Sequence, residues 1–585
     1  MTASSPDPTP RSARPRFKWL LIVLALAAVV GVGVHWITAI NDNSVQNGVS
    51  LGAIGVAVIA MLVWLYRAVS LWMSRRIAIL AVVTVLLIPA VFFRLRGFTG
   101  EILPVIELRF ARSQPLQQEV TAADRAEAPT HVATTEFSQF LGNDRTGVIA
   151  KREFEVPASA DFAPLWTQGI GEGWAGFAIV GDRCVTLEQR DQKECVSCYR
   201  LSDGALLWIH QSPVRHENRV GGIGPRSTPT IAGNRVYTQG ATGMVLCLDL
   251  SNGQEIWRQD LLALAGWSQA QSEHEINWGR AGSPLLVDDL CVVPFGGPDG
   301  DTSWPASAGQ LEEQRNRGLI AFDQSSGAIR WTAGDDQISF ASPMLMNLAG
   351  TEQIVIVNER SVTGHAIDDG RQLWRGAWRG RSNGAANCAS ALPVDANAFL
   401  VGKAYGTGSC VFEVVPEGEG FAVRERWARS NVLKTKFTHA CIAGGFAYGL
   451  SDGLLECVDI TTGKRVWAQP RSDRYGHGQV ILVEDVLVVQ TEAGEVAFVA
   501  AHSDGFKELA KLPALAGKSW NVPSIAGRYL AVRNDSQAIV YQLPPRQDTS
   551  LPSESDGPTE SAEVATHAVT PARDALVSAN AAAKL

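Results

Sequence analysis

The chain has 585 residues, of which 46% are hydrophobic and 19% charged, with a net charge of −8. That length exceeds one ordinary domain, and the apolar content is enough for a large core, so a folded globular protein is expected. The acidic balance, with no lysine- or arginine-rich stripe outside the N-terminal region, argues against nucleic acid as a partner.

In chain order, residues 1–16 form a short basic tail carrying Arg11, Arg14 and Arg16. Three apolar runs follow, at 17–40, 49–66 and 77–93, and are read as helices of a transmembrane region over 17–96, because each approaches the length that crosses ~30 Å of hydrocarbon. A cleaved signal peptide is the rival reading of the first run. Its length, the absence of an A-x-A-like site in NDNSVQNG and the two later runs weigh against cleavage. The segment 41–48 has no Lys or Arg, whereas the next connection carries Arg67, Arg75 and Arg76. This places the tail and the second connection in the cytoplasm and everything after the third run on the outer side. Arg94, Arg96, Arg109 and Arg112 argue the other way, and were the third run only interfacial, the large domain would be cytoplasmic.

Residues 97–136 are read as a linker, rich in Ala, Thr, Gln and Glu from 111 onward, and 546–585 as a disordered Ser/Thr/Ala/Pro/Glu tail. Between them, 137–545 is built of repeats. YRLSDGALLW (199–208), LDLSNGQEIW (248–257), FDQSSGAIRW (322–331), AIDDGRQLW (366–374) and VDITTGKRVW (458–467) each place a tryptophan four residues after a glycine. The aspartates Asp249, Asp323 and Asp459 can accept hydrogen bonds from the following turn, the glycine supplies a positive φ, and the tryptophan can pack on its neighbour. Upstream of the turns, eight apolar strands recur, among them STPTIAGNRVYTQ and GSPLLVDDLCVVP. Four-stranded units of this size, eight in number, predict an all-β, eight-bladed β-propeller with antiparallel blades behind the three-helix region. PLWTQ (164–168) has no blade of its own and is expected to complete the last one, near 510–543.

The repeated D-x-x-x-G-x-x-x-W resembles that of the PQQ-binding-like β-propellers, a superfamily of quinoprotein dehydrogenases and of the propeller lipoprotein of the bacterial outer-membrane assembly machine. The resemblance covers about 160–545, and FSQFLGNDRTGV (137–148) is similar to the lead-in of many bacterial members. It implies the fold, but catalytic and scaffolding proteins share it. A quinoprotein enzyme would need adjacent cysteines above its quinone and a calcium site beside it. The chain has no adjacent cysteines, and no calcium or base residues match. The leading expectation is therefore a non-catalytic binding or scaffold module, without cofactor or metal, in the bacterial cell envelope. It would be integral to the inner membrane, with the propeller on the periplasmic side, and would bind a protein partner or an anionic envelope ligand. The alternative is a membrane-bound quinoprotein alcohol or sugar dehydrogenase using PQQ with calcium and passing electrons to quinone.

Candidate binding residues are those leading into the innermost strands, which surround the central channel at one face. They are Trp174, Arg226, Arg280, Phe340, Asn387, Lys436, His439, Tyr475, His477, Lys518, Trp520 and Asn521. Cationic and aromatic groups clustered in an acidic protein suit a carboxylate or other small anion. They suit equally well the closing of the ring by blade-to-blade hydrogen bonds and stacking. Insertions at 209–226, 258–279 and 296–318 are expected on the same face. Cys195 and Cys198 stand in CxxC spacing, but on one strand they point to opposite faces and align with apolar columns of the repeat, so a metal or redox site is not expected. A bridge from Cys184 to one of them stays open. No hydrolase elbow, zinc motif or P-loop is present, and GGIGP (221–225) is read as a turn.

Overall fold

The structure, a computed structural model, describes residues 17–34, 43–110, 116, 133, 135–296, 318–382 and 384–547. Three apolar helices come first: α1 (Phe17–Gly33), α2 (Asn43–Trp72) and α3 (Arg75–Phe92). Two, over Asn47–Leu71 and Arg75–Phe92, are long and apolar enough to cross a membrane. The expectation of three spans is corrected at the first. α1 has 17 residues, below the ~18 consecutive apolar residues that read as a span. Residues 35–40, into which that run was extended, lie outside the described residues.

α3 passes without a break into a hairpin, β1 (Phe93–Phe98) and β2 (Pro104–Leu108). Residues 97–108 are thus paired strand and turn where the sequence was read as linker. The period-two alternation of Arg94 and Arg96 with Leu95, and of Glu107 with Ile106 and Leu108, is the signal for it. The expected tail from 548 onward and the third insertion over 297–317 lie outside the described residues.

Eight blades follow, beginning at Ala178, Thr230, Leu285, Met344, Leu392, Ala440, Gln479 and Ser524. Each has four antiparallel strands, and blade 7 gains a fifth where Val148–Ile149 runs parallel to Leu482–Val483. Blade 8 supplies three strands of its own, and its outermost strand is Trp166–Gly169, paired from Val540↔Trp166 to Gln537↔Gly169. The closure expected of PLWTQ is present, and it joins the two ends of the ring without a long free edge.

The repeat works between blades. Asp249 Oδ1 accepts from Ser251 N at 2.8 Å, and Asp323 and Asp459 cap their turns in the same way. The Trp208 indole of blade 1 then lies over Gly253 of blade 2 and donates to Leu250 O at 2.8 Å. Gly253 is required twice: its φ is +72°, and a Cβ there would come within 2.4 Å of the Trp208 ring. The same clasp joins Trp257 to Gln324 O, Trp331 to Ile367 O and Trp427 to Ile460 O. Trp166, the borrowed residue of blade 8, clasps blade 1 through Leu201 O at 2.7 Å and sits against Gly204. Trp374 is the exception: it donates to Gln353 of its own blade, because blade 5 has ten-residue outer strands and no Asp-to-Gly turn to receive it.

All nine cysteines are free thiols, Cys184, Cys195 and Cys198 among them, so the Cys184 bridge does not form. Cys198 packs with Val185 and Trp208 in the apolar layer between blades 1 and 2, as the repeat alignment requires of that column.

Candidate functional site

The channel is crossed from within by the lead-in. Phe137 pairs with Ile179 of blade 1, Ser138 O accepts from Ile231 N of blade 2 at 2.8 Å, and Arg145 donates to Ser283 O and Pro284 O of blade 3. Gly147 O accepts from Leu482 N of blade 7, and Thr135 Oγ1 from Gly527 N of blade 8. Phe140, carried on this segment, makes an edge contact with the His439 ring at 5.1 Å.

Around the channel runs a belt of hydrogen bonds, each from a backbone N–H where a blade begins to a side chain of the next. Gly176 N donates to Thr228 Oγ1, Thr228 N to Ser283 Oγ, Ser283 N to Ser342 Oγ, Ser342 N to Ser390 Oγ, and Ser390 N to His439 Nε2, at 2.9–3.1 Å. His439 therefore fills the place a serine or threonine hydroxyl takes in blades 2 to 5. Burial pushes its pKa down to about 4, which keeps Nε2 free to accept, and Nδ1 is buried without a partner among the described residues.

Several of the expected site residues serve ring closure. Asn387 donates to Asn358 O, Glu359 O and Trp378 O, and Asn521 to Gly173 O and Ala175 O. Arg280 is 1% exposed, bonded to Ser272 Oγ and Phe295 O, and lies off the central cavity. Arg226 lines the cavity but spends its guanidinium on Gly221 O and Gly224 O, and burial lowers its pKa to about 10. Tyr475 donates to Glu508, away from the cavity.

The mouth is filled by the chain's own β1–β2 turn. Lys436 Nζ donates to Gly100 O, and Lys518 Nζ to Phe98 O at 3.0 Å, while Glu492 Oε1 accepts from Gly100 N at 2.5 Å. The Glu101 carboxylate pairs with Arg474, with His477 Nε2 at 3.7 Å. Lys518 stands over Trp520 (3.9 Å to the ring centroid) and Trp174 (4.8 Å), and burial lowers its pKa to about 8. Burial also pushes His477 down to about 4, with Lys436 adding to it. Burial alone would raise Glu492, but His477 and the donors Gly100 N, His477 N and Trp520 Nε1 hold it below the usual carboxylate range. Gly100 lies so close to the His477 ring that a Cβ would come within 2.5 Å of it.

Between turn and lead-in remains a cavity of about 250 Å³. Its walls include Trp174, Trp278, Phe340, Phe437 and Trp520, with Phe140 from the lead-in and Thr99, Gly100 and Ile102 from the hairpin. Val220 and Gly221 of the first insertion and Trp278 of the second reach it. Sequence reasoning assembled the wall from the loops leading into the inner strands. It missed Glu492, which lies on a loop joining second and third strands of a blade at the same face, and it missed the hairpin.

The quinone that the resemblance implies does not fit these residues. A planar ring sandwiched at van der Waals contact needs walls about 7 Å apart. Here the aromatics pack tilted against one another instead, with Trp174–Trp520 centroids at 4.9 Å, Phe437–Trp520 at 4.7 Å and Trp278–Phe340 at 5.2 Å. The cations that would meet its carboxylates already donate to backbone carbonyls. Among the described residues, no group of three or more His, Cys, Asp or Glu is placed to hold a metal ion.

A family profile described as outer membrane protein assembly factor BamB matches residues 192–469. Among solved structures, the quinohemoprotein alcohol dehydrogenase of Comamonas testosteroni superposes with a TM-score of 0.50 at 12% identity, over 74% of this chain and 85% of that one. BamB of Moraxella catarrhalis gives 0.43 at 14%, over 66% and 99%. Quinohemoprotein alcohol dehydrogenase ADHIIG of Pseudomonas putida HK5 gives 0.47 at 12%, over 76% and 85%. No protein with a curated description matches the chain.

Proposed function

We propose that this eight-bladed β-propeller, of which residues 192–469 match the family profile above, is a membrane-anchored, non-catalytic binding scaffold of the bacterial cell envelope, on a fold that catalysis and scaffolding share. One observation carries this reading: the place where a propeller enzyme would admit cofactor and substrate is taken by Gly100 and Glu101 of the same chain, held by Lys436, Glu492 and Arg474. The family profile's description as an assembly factor favours it further. Binding then falls to the loops around the mouth, including the helical insertion Leu261–Glu275 and the small hairpin at 217–223, and the partner is another protein or an anionic component of the envelope. The apolar spans Asn47–Leu71 and Arg75–Phe92 supply the anchor. Arg67 near the end of the first span and Arg75 and Arg76 at the start of the second favour the cytoplasm for the turn between them and the periplasmic side of the inner membrane for the propeller.

The test is addition of PQQ and Ca²⁺ to the purified full-length protein, followed by absorbance and by dye-linked alcohol and sugar oxidation. Neither stoichiometric binding nor turnover is expected. Turnover would establish the dehydrogenase reading in its place.

A further inference from the structure

The β1–β2 hairpin has two unlike faces. Phe93 pairs with Leu108 and Leu95 with Ile106, and these four, exposed by 44%, 53%, 58% and 61%, make one apolar patch that no other described residue covers. The other face is charged: Arg94 and Arg96 both meet Glu107, and Arg96 continues to Asp535 of blade 8. The patch begins at the residue after α3 ends, so it continues the apolar surface of a helix read as membrane-spanning. Phe92, half exposed at the end of α3, extends it, and Arg109 donates to Ala90 O at the same level.

We infer that this apolar face rests in the headgroup layer of the outer surface of the bilayer and holds the mouth of the propeller toward the membrane. The inference rests on the anchoring proposed above. Two considerations select the lipid headgroup layer as the occupant. A two-stranded sheet has unpaired edges, which hydrocarbon does not tolerate but hydrated headgroups do. The patch is also three residues deep, about 7–10 Å, close to the thickness of one headgroup layer, about 5–8 Å. The orientation of the mouth follows from the turn of the same hairpin, which is seated in it, and from Asn47. α2 is longer than α3, 30 residues against 18, and Asn47 near its outer end donates to Glu101 O at 3.1 Å. Whatever docks at the mouth must therefore reach it along the membrane surface, which suits a lipid-attached or membrane-embedded partner.

Single cysteines at Leu95, Ile106, Leu86 of α3 and Ile329 of blade 3, all exposed, can be given a fluorophore, since the native thiols are buried or nearly so. The labelled full-length proteins are reconstituted in phosphatidylcholine–phosphatidylglycerol vesicles. Leu86→Cys should be quenched most by a spin label deep in the acyl chain. Leu95→Cys and Ile106→Cys should be quenched most by a headgroup spin label, and by aqueous iodide at least fivefold less than Ile329→Cys. Energy transfer to a surface lipid dye should be stronger from Val220→Cys, at the mouth, than from Asn252→Cys, on the opposite face. Iodide access at Leu95 and Ile106 equal to that at Ile329, with Leu86 still deep, would overturn the inference and leave the anchor standing. Shielding from iodide without quenching by either lipid label would also overturn it, in favour of a protein covering the patch. A Leu86 label untouched by lipid quenchers would remove the anchoring reading itself.

Discussion

Lys436 donates a hydrogen bond to the carbonyl of Gly100, 336 residues earlier in the chain, and so ties the hairpin that follows the apolar helix α3 to the rim of blade 6. A buried hydrogen bond to a charged group contributes about 1.5–3 kcal/mol. Lys436→Met is therefore expected to raise amide exchange at residues 98–102 by tenfold or more while leaving the blade strands protected. Gly100→Ala should do the same, because its methyl would collide with the His477 ring. Unchanged protection of that turn in both variants would show that the mouth is not held by these contacts.

The tryptophan clasps give a graded series. Trp208→Phe keeps most of the packing and loses the bond to Leu250 O, at a cost of about 1 kcal/mol. Trp208→Ala opens a cavity and should cost about 3–5 kcal/mol. Gly253→Ala should be costly for a residue so small, since it combines strain at φ +72° with a clash against the indole. Trp374→Phe, whose indole bonds within its own blade, should weaken blade 4 without loosening the contact to blade 5. Chemical denaturation of the set measures the order.

Acid should weaken the fold through its buried histidines. His216, His439 and His477 are pushed to about 3, 4 and 4, by burial first and then by Arg226, Arg145 and Lys436 respectively. Unfolded, each titrates near 6.5, so below that pH the unfolded state binds protons that the folded state does not. Stability is unaffected above pH 6.5 and falls between 6.5 and about 4, by up to ~1.4 kcal/mol per pH unit for each histidine. Glu194, pushed up to about 7 by burial, acts in the opposite sense between pH 4.5 and 7. The decisive measurement is therefore a difference: His439→Asn, which keeps an acceptor for Ser390 N, should flatten the profile by one proton. An identical slope in both proteins would mean that His439 is charged in the fold.

The cysteines should behave as packing residues. Intact mass is expected to be the same with and without reductant, and thiol reagents should stay almost silent until denaturant is added, because burial pushes Cys195 and Cys198 up to about 12. A mass two units lower without reductant would reveal a disulfide.

The propeller was legible because its physics is local. Asp459, Gly463 and Trp467 each carry out a step that period, turn chemistry and side-chain volume determine, and Trp166 could be assigned to blade 8 because a lone outer strand needs a partner. The mouth was legible only as a list of positions. Composition marks Lys436, Lys518 and His477 as a polar cluster, but nothing in their neighbours says that the group they hold is a backbone carbonyl of residue 100 rather than a free ligand. Arg280 and Asn387 were drawn into that list by position alone, and nothing in the pattern says that they are spent on Phe295 O and Trp378 O, 15 and 9 residues away. The hairpin itself was hidden by its arginines, which read only as positive charge against the outward orientation until their pairing with Glu107 and Asp535 is known.

The borrowed strand Trp166–Gly169 also sets an order in time. It is made early, and Gln537–Val540, the stretch it pairs with, is made last; at ~5–20 residues per second the interval is roughly 20–70 s. For that time blade 1 is complete on one side only, and the ring stays open. A chain stopped before residue 537 would hold seven finished blades and two raw edges, a substrate for proteases rather than a smaller propeller.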